Sequence, residues 1–384
     1  MNVKKRILGL LIIGVLLLLG GCSGNQPEQT TEESSKTKAS TTESNKDERS
    51  EMEKRIEDIM QSMSLEEKVG QLFLVRVPLK NQVTDIQNYH LGGYLLFDRD
   101  MQGENRDSLK AKIENYQEAS KIPLLIGSDE EGGTVSRLSR NQLVSPPFAS
   151  PQQVYQAGGW AAITEDIDHK AATFHELGIQ LGMFPDADVS TDPASFIHDR
   201  TIGMDAKGTS KFVQRSVTEM KKQKIGSTLK HFPGYGDNRD SHVEIVTDDR
   251  PLAKLQQNDF LPFKAGIKAG ADSVMVSHNI ISAIDDQNPA SISPAVHKVL
   301  RKDLGFDGVV MTDDMDMAGL ADFISQQKAG LQALKAGNDL ILSSSYAQQI
   351  PYILQAIQQG DYSEKQVDRS VERVLRWKIE LGLL

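Results

Sequence analysis

The sequence has very little cysteine: Cys22 is the only one among 384 residues. A single thiol cannot form a disulfide within the chain, and it cannot supply the several ligands of a thiolate metal site. We therefore expect a fold without a disulfide and without a thiolate metal site, and the rest of the sequence predicts neither a metal nor a cofactor.

The chain also has fewer positively charged than negatively charged residues. Lys and Arg total 43 against 53 Asp and Glu, which gives a formal net charge of −10. Nucleic acids and other anionic polymers are poor nonspecific partners for such a chain. The pairs Gly92-Gly93 and Gly132-Gly133 lack the spacing of a phosphate-binding loop and indicate turns.

A long membrane-spanning run is missing as well. Lys4, Lys5 and Arg6 precede an apolar run from Ile7 to Leu19, and Leu19-Gly20-Gly21-Cys22 closes it. The run is shorter than the roughly 20 residues that cross a bilayer, so a secretory signal is favoured over a transmembrane anchor. The LGGC sequence resembles a bacterial lipobox, which implies cleavage before Cys22, acylation of its thiol and anchoring at the outer face of the cell membrane.

The segment after Cys22 has no aromatic residue. From Ser23 to about Ser50 it consists mainly of Ser, Thr, Glu, Lys, Asn and Gln, and it cannot bury enough apolar surface to fold. The predicted organisation is a signal peptide over 1–21, a lipidated cysteine and disordered tether over 22–50, and a folded domain over 51–384.

Eight short apolar runs in the remaining part predict strands. They are Leu72 to Val77, Gly93 to Phe97, Pro123 to Ile126, Gly182 to Phe184, Ile225 to Leu229, Ser273 to Val276, Gly308 to Met311 and Asp339 to Leu342. Between and after them lie segments of helical periodicity: Arg106 to Ser120, Ser210 to Lys222, Leu252 to Ala269, Pro294 to Leu304, Ala321 to Ala336, Ala347 to Gln359 and Glu364 to Leu381. The alternation predicts an α/β fold, a single (β/α)8 TIM-like barrel, with a doubly wound open sheet as the alternative.

Polar residues follow these strands at their carboxyl ends, where the active sites of such barrels lie. They are Asp98 and Arg99, Asp129, Asp186 and Asp188, Lys230 and His231, His278, and Asp313 with Asp314. Because buried charges are costly unless paired, this placement indicates a polar site and not a core.

The densest motif is Lys230-His231-Phe232-Pro233-Gly234-Tyr235-Gly236, followed by Asp240-Ser241-His242. Pro233, Gly234 and Gly236 predict irregular backbone after the fifth strand. An aspartate two residues before a histidine can orient the ring and raise its basicity, as acid/base catalysis requires. The alternative is a surface turn with a side-chain hydrogen bond from Asp240.

The motif resembles the diagnostic segment of family 3 glycoside hydrolases of the β-N-acetylglucosaminidase type, which trim muropeptides. The resemblance extends from about Met60 to the end of the chain and includes GGYLLFDRD at Gly92, SDEEGGTVSRL at Ser128, FPDADVSTDP at Phe184, LGFDGVVMTDD and ALKAGNDLIL. It implies a catalytic barrel, and the chain is too short for the second α/β domain of larger relatives.

The resemblance also implies catalytic roles. Asp313 corresponds to the nucleophile of a retaining mechanism, with Asp314 as the competing candidate, and Thr312 and Asp314 are expected to face away from the barrel mouth. His242 corresponds to the acid/base and Asp240 to the residue that orients it. If His242 does not serve, the acid/base is to be sought among Glu130, Glu131 and Asp188.

The implied sugar-binding residues are Asp129, Arg137, Arg200, Lys230 and His231. Four residues depart from the family pattern at the margin of this pocket: His198 and Thr201 beside Arg200, Thr134 in place of a frequent arginine, and Tyr235 in place of a frequent histidine.

The sequence thus predicts a lipid-anchored, monomeric, retaining exo-β-N-acetylglucosaminidase that removes terminal GlcNAc from peptidoglycan fragments. The alternatives are a glycosidase or phosphorylase for another β-linked sugar and, from a different class, a lipid-anchored sugar-binding protein.

Overall fold

The computed structural model describes residues 50–241 and 243–384. Residues 1–49, including Cys22, and the single residue His242 lie outside the described residues. The compact unit in the described part is Glu51–Leu384. The signal peptide, the acylation of Cys22 and the tether stay predictions. None of the helices in the described ranges is long and apolar enough to cross a membrane.

The core of the molecule is a closed ring of parallel β structure, a TIM-like (β/α)8 barrel. Its regular strands, in the first to third and fifth to eighth positions, are Phe73–Arg76, Gly93–Leu96, Leu125–Ser128, Thr228–Phe232, Ser273–Val276, Val309–Thr312 and Ile341–Leu342. The fourth position has only isolated bridges, at Leu181 and Asp186.

The ring closes because the eighth strand pairs with the first, Phe73 opposite Ile341 and Leu74 opposite Leu342. Bridges at Gly127–Leu181 and Leu181–Gly226 connect the third strand through the fourth position to the fifth, and Met311–Leu340 connects the seventh to the eighth. The doubly wound alternative is therefore excluded, since it would leave two open edges. Two small ladders lie outside the ring, Glu130–Gly132 with Val135–Ser136 and Thr247–Asp248 with Ile280–Ile281.

Helices cover the outside of the ring. The longer ones are 50–61, Leu65–Gln71, Gln82–Tyr89, Arg106–Glu118, Pro151–Leu177, Ala206–Lys222, Phe260–Ala269, Gln326–Ala336, Tyr346–Gln358 and Glu364–Glu380. The shorter ones are Asp98–Met101, Arg137–Arg140, His198–Arg200, Leu252–Gln257, Ala290–Ile292, Pro294–Lys298, Val299–Asp303 and Ala318–Ala321.

Local sequence signals set these helices. Ser150 and Gln153 form a capping box at the start of Pro151–Leu177, and Gly178, in the left-handed conformation, ends that helix. The last helix buries Val367, Val371 and Val374 at the three- and four-residue spacing of one helix face, which seats it against the barrel.

The structure corrects several predicted boundaries. The third and fifth strands begin two and three residues later than predicted, so Lys230 and His231 lie within the fifth strand and not after it. The predicted helix Leu252 to Ala269 is broken at Asn258 and Asp259. The predicted helix Ala321 to Ala336 begins only at Gln326, and Ala321 is the last residue of the short helix Ala318–Ala321. The helix Pro151–Leu177 was not predicted. Its residues Gly158 and Gly159 have non-helical backbone angles, and they interrupt the helical periodicity.

Candidate active site

A cavity of about 200 Å³ opens at the carboxyl ends of the barrel strands. Its floor is apolar and comes from alternate barrel positions, the second, fourth, sixth and eighth: Leu95, Met183, Met275 and Leu342. Such a layer of four side chains is the packing unit of these barrels. The polar residues that border the cavity are Arg76, Asp129, Arg137, Arg200, Lys230, His231, Asp313 and Asp314.

The fifth strand contributes two consecutive residues, Lys230 and His231, to this cavity. In a regular strand, neighbouring side chains point to opposite faces. The pairing of the fifth strand with the sixth shifts register between Leu229 and Phe232, which interrupts that alternation. Irregularities of this kind re-aim side chains beside active sites.

Glu131 is the anion that joins two of the site's cations. Its carboxylate accepts hydrogen bonds from Arg200 Nε and Nη2 at 3.0 and 2.7 Å, and it lies 2.6 Å from Lys230 Nζ. Burial alone would raise the pKa of Glu131, but Arg200 and Lys230 outweigh it and hold the pKa well below its usual value. Glu131 is therefore ionised and does not hold a proton to donate.

Asp129 bridges Lys230 and Arg137. Its two oxygens lie 3.2 Å from Lys230 Nζ and 3.2 Å from Arg137 Nη2, and Arg137 also contacts Asp98 at 3.0 Å. Against the effect of burial, Lys230 and Arg137 lower the pKa of Asp129. Its side chain keeps 18% of its surface exposed, so it can still accept hydrogen bonds from a ligand.

His231 is oriented by Asp188. Asp188 Oδ2 lies 2.8 Å from Nδ1 of the ring and accepts the backbone N–H of His231 at 3.1 Å. Arg200 Nη2 lies 3.2 Å from Nε2. Burial lowers the pKa of His231 even though Asp188 opposes that shift. A neutral ring that donates from Nδ1 to Asp188 and accepts from Arg200 at Nε2 satisfies all three groups.

Asp313 and Asp314 both border the cavity, so the expectation that Asp314 faces away is wrong. The strand ends at Thr312, and pleat alternation does not extend to these residues. Their surroundings differ. Asp314 is paired with Arg76, and burial raises its pKa to about 6 although Arg76 opposes the shift. Asp313 lies close enough to His231 and Tyr235 to act on both pKa values.

Residues 233–246 connect the fifth strand to Thr247–Asp248 and form the fifth loop. Arg250 fixes its two ends, because Nη2 donates to Gly234 O at 2.8 Å and to Asp248 Oδ2 at 2.6 Å. Within the loop Asp240 is half-buried, while Arg239 and Val243 are exposed. Asp240 is not among the residues that line the cavity, and the predicted acid/base His242 lies outside the described residues.

Glu130, one of the three fallback acids, serves the fold. Its buried carboxylate meets Ser128 Oγ at 2.6 Å, Ser136 Oγ at 2.5 Å and the backbone N–H of Leu138 at 3.0 Å. Burial raises its pKa to about 7. Since Asp188 is occupied by His231 and Glu131 by Lys230 and Arg200, each of the three fallback carboxylates already has a structural partner.

Among the described residues, Asp186, Asp188 and His231 bring possible metal ligands within 4.8 Å of one another. Asp188 and His231 are already hydrogen bonded to each other, and the cationic Arg200 lies 3.2 Å from Nε2 of His231. Burial and Asp188 raise the pKa of Asp186 well above its usual value, which disfavours the anionic form that binds a cation. The group does not fit a cation.

The structure brings together Asp129, Arg137, Arg200, Lys230, His231 and Asp313. Sequence reasoning missed the pairing roles of Glu131 and Asp188 and the presence of Arg76; the carboxylates stood in the quoted motifs, but their partners are distant along the chain. The departures at His198 and Thr201 form a local turn, since Thr201 Oγ1 donates to His198 O at 2.9 Å, and Arg200 within it still reaches the cavity.

Known proteins share this architecture. The model of the glycosyl hydrolase family 3 N-terminal domain matches residues 64–377. The beta-hexosaminidase LpqI of Mycobacterium tuberculosis is 30% identical over 332 residues, which cover 82% of this chain and 83% of LpqI. Beta-hexosaminidase A of Pseudoalteromonas piscicida is 29% identical over 77% of this chain, but the match spans only 54% of that relative.

A solved structure supports the same relationship. The family 3 β-N-acetylglucosaminidase from Paenibacillus sp. superposes with a TM-score of 0.79 at 28% identity, over 84% of this chain and 63% of the other.

Proposed function

This chain belongs to glycosyl hydrolase family 3, and from that premise we propose that it is a retaining exo-β-N-acetylglucosaminidase acting on peptidoglycan fragments. The observation that carries the proposal is the cavity in which Asp313 lies beside Asp129, Lys230, His231 and Arg200. These residues supply a carboxylate for attack and several groups that bind hydroxyls. The names of the relatives, beta-hexosaminidase and β-N-acetylglucosaminidase, support the choice of sugar.

The size of the cavity supports removal of single terminal residues. At about 200 Å³ it is smaller than the roughly 300–1,000 Å³ of pockets for drug-sized ligands. One sugar ring is the natural occupant, and the rest of a glycan has to lie outside the mouth. Resemblance to muropeptide-trimming enzymes and the LGGC motif support a substrate from the cell wall.

The reaction follows a double displacement. An oxygen of Asp313 forms a bond to the anomeric carbon while the bond from that carbon to the leaving oxygen breaks, and His242 gives that oxygen a proton. In the second step His242 takes a proton from water, the resulting hydroxide attacks the anomeric carbon, and the bond to Asp313 breaks. Asp240 stabilises the protonated ring before the first step and again after the second, when His242 has taken the proton from water.

Asp313 is the better nucleophile of the two aspartates. Asp314 is held by Arg76, and its carboxyl has a raised pKa, so part of it is protonated near neutral pH. Asp313 is close enough to His231, one of the proposed sugar-binding residues, to act on its pKa.

Product analysis tests the proposal. We expect the full chain to release free GlcNAc, one residue at a time, from the non-reducing end of a β-linked GlcNAc–MurNAc fragment. Phosphate should change neither the rate nor the product, whereas GlcNAc-1-phosphate would identify a phosphorylase. Binding of the fragment without turnover, also of an aryl β-GlcNAc reporter, would identify a sugar-binding protein.

We also propose the lipid anchor at Cys22, which rests on the sequence alone. Cys22→Ala should leave the membrane fraction or fail to mature, and a chain that begins at Glu51 should keep its activity. Unchanged membrane association of the alanine variant would refute the anchor.

A further inference from the structure

Tyr235, which stands where the family often has histidine, is fully buried beside the cavity. Its backbone N–H donates to Asp188 Oδ1 at 2.6 Å, which is the same carboxylate that orients His231. Its ring packs edge-on against His231 and Phe196, with centroids 5.0 and 5.1 Å apart. Tyr235 is therefore fixed to the sugar-binding side of the site by its backbone and by its ring.

The hydroxyl of Tyr235 reaches the middle of the fifth loop. It lies 2.6 Å from Ser241 Oγ, and the exposed fraction of both residues is 0%. Ser241 stands between Asp240 and His242 in the sequence. This contact joins a rigid part of the site to the segment that carries the proposed acid/base pair.

A second contact holds Ser241 from the opposite side. Gly319 lies in the helix Ala318–Ala321, which follows the strand of Asp313. A Cβ atom added to Gly319 would lie 2.5 Å from Ser241 O and 3.0 Å from Glu244 O. Ser241 thus lies between Tyr235 and Gly319, and on the Gly319 side there is no room for a methyl group.

We propose that Tyr235 is a positioning residue that fixes the acid/base segment of the fifth loop through its hydrogen bond to Ser241. The inference rests on the proposed roles of Asp240 and His242, and it adds a residue to which the resemblance assigns no role. Both hydroxyls are buried and each is the other's hydrogen-bond partner, so removal of either oxygen breaks the contact and frees the segment. Sugar binding stays intact, because Asp188 and His231 contact Tyr235 through its backbone and ring.

A double-mutant cycle tests the contact. Tyr235→Phe, Ser241→Ala and the double variant are compared in the full chain on an activated aryl β-GlcNAc and on an unactivated alkyl β-GlcNAc. Each single change should lower kcat on the alkyl substrate about three- to tenfold, with KM and the aryl rate nearly unchanged, and the double variant should be no worse than a single one. Tyr346→Phe is the matched control, since its hydroxyl bonds Asp85 at 2.6 Å away from the loop.

Trypsin cleavage after Arg239 supplies a readout besides activity. The Arg239 side chain is exposed and paired with Glu244 at 2.7 Å, and cleavage requires the loop to leave its position. Tyr235→Phe and Ser241→Ala should each speed this cleavage by a similar factor. The double variant should be cleaved about as fast as either single variant, because both changes remove the same contact. Unchanged cleavage, multiplying factors, or equal kinetic loss on both substrates would overturn the proposal.

Gly319→Ala tests the loop position from the other side. Alanine favours a helix over glycine, so the variant should gain stability if the loop lies elsewhere. If the loop lies as observed, the methyl group displaces Ser241, and the alkyl-selective loss and faster cleavage should appear with Tyr235 and Ser241 intact. If His242→Ala lowers the rate equally for good and poor leaving groups, the acid/base assignment is refuted instead. Trypsin cleavage of the single and double variants would still decide whether Tyr235 holds the loop.

Discussion

Two regions of the site are built differently. The charged wall, defined as Asp129, Glu131, Arg200, Lys230 and His231, comes from strand ends and tight turns, and its members pair with one another or with buried partners. The fifth loop has exposed residues at its tip and is fixed by Arg250 at its ends and Tyr235 in its middle. The wall is held by ion pairs among its own members, whereas the loop is held at a few points by single side chains.

The strongest test of the wall concerns the proposed nucleophile beside it, Asp313. Asp313→Ala should lower kcat by about four orders of magnitude or more with the fold preserved, because covalent catalysis lacks its attacking group. Asp314→Ala should lose far less. A slow 2-fluoro glycoside should label the peptide that contains Met311 to Met317, and a label elsewhere would reassign the nucleophile.

The loop predicts a loss of a different kind. His242→Ala should slow substrates with poor leaving groups by about 10²- to 10⁴-fold and activated aryl substrates much less. Asp240→Asn should show a milder version, since the ring stays and only the charge that stabilises it is removed. Rates on a series of aryl glycosides of graded leaving-group pKa measure the difference. Parallel losses across the series would place His242 in binding or structure.

The wall should be sensitive to the loss of one charge. Glu131→Gln leaves Lys230 and Arg200 buried without their shared anion, which should cost about 3–5 kcal/mol of unfolding free energy and raise KM. Glu176→Gln is the control, because that residue forms an exposed pair with Arg106 and should have little effect. Denaturant unfolding and steady-state kinetics measure both, and equal effects of the two changes would show that the wall is not preorganised by Glu131.

The smallest expected effect depends on pH and concerns the buried carboxyl of Glu130, next to the charged wall in the sequence. Folded Glu130 keeps its proton up to about pH 7, whereas its ordinary pKa is 4.5. The folded state therefore binds more protons between these values, and its stability falls as the pH rises through that window. The side chain in Glu130→Gln resembles the neutral acid. The free energy of unfolding of this variant should therefore increase relative to that of the wild type between pH 5 and 8, by at most about 3 kcal/mol. A constant difference across this range would show that Glu130 ionises normally.

The barrel could be predicted because its strands are continuous apolar runs between turn residues. The boundaries failed where polar residues are paired inside strands: Ser128 with Glu130, Lys230 with Glu131, and His231 with Asp188. Apolar periodicity cannot detect such pairs, because their partners lie up to about a hundred residues away in the chain. The motifs predicted the residues around the cavity. The contacts of Tyr235 and Gly319 with Ser241 could not be predicted, because no local sequence pattern specifies the path of the fifth loop.

The dimensions of the cavity have a consequence for how the rate depends on the substrate's chain length. If the protein acts as proposed, a cavity of about 200 Å³ at the barrel mouth would accept the end of a glycan and not its interior. The initial rate on a fixed mass of glycan should then rise in proportion to the number of non-reducing ends and be indifferent to chain length. Such a protein would act late in wall degradation, after other enzymes have multiplied the ends on which it works.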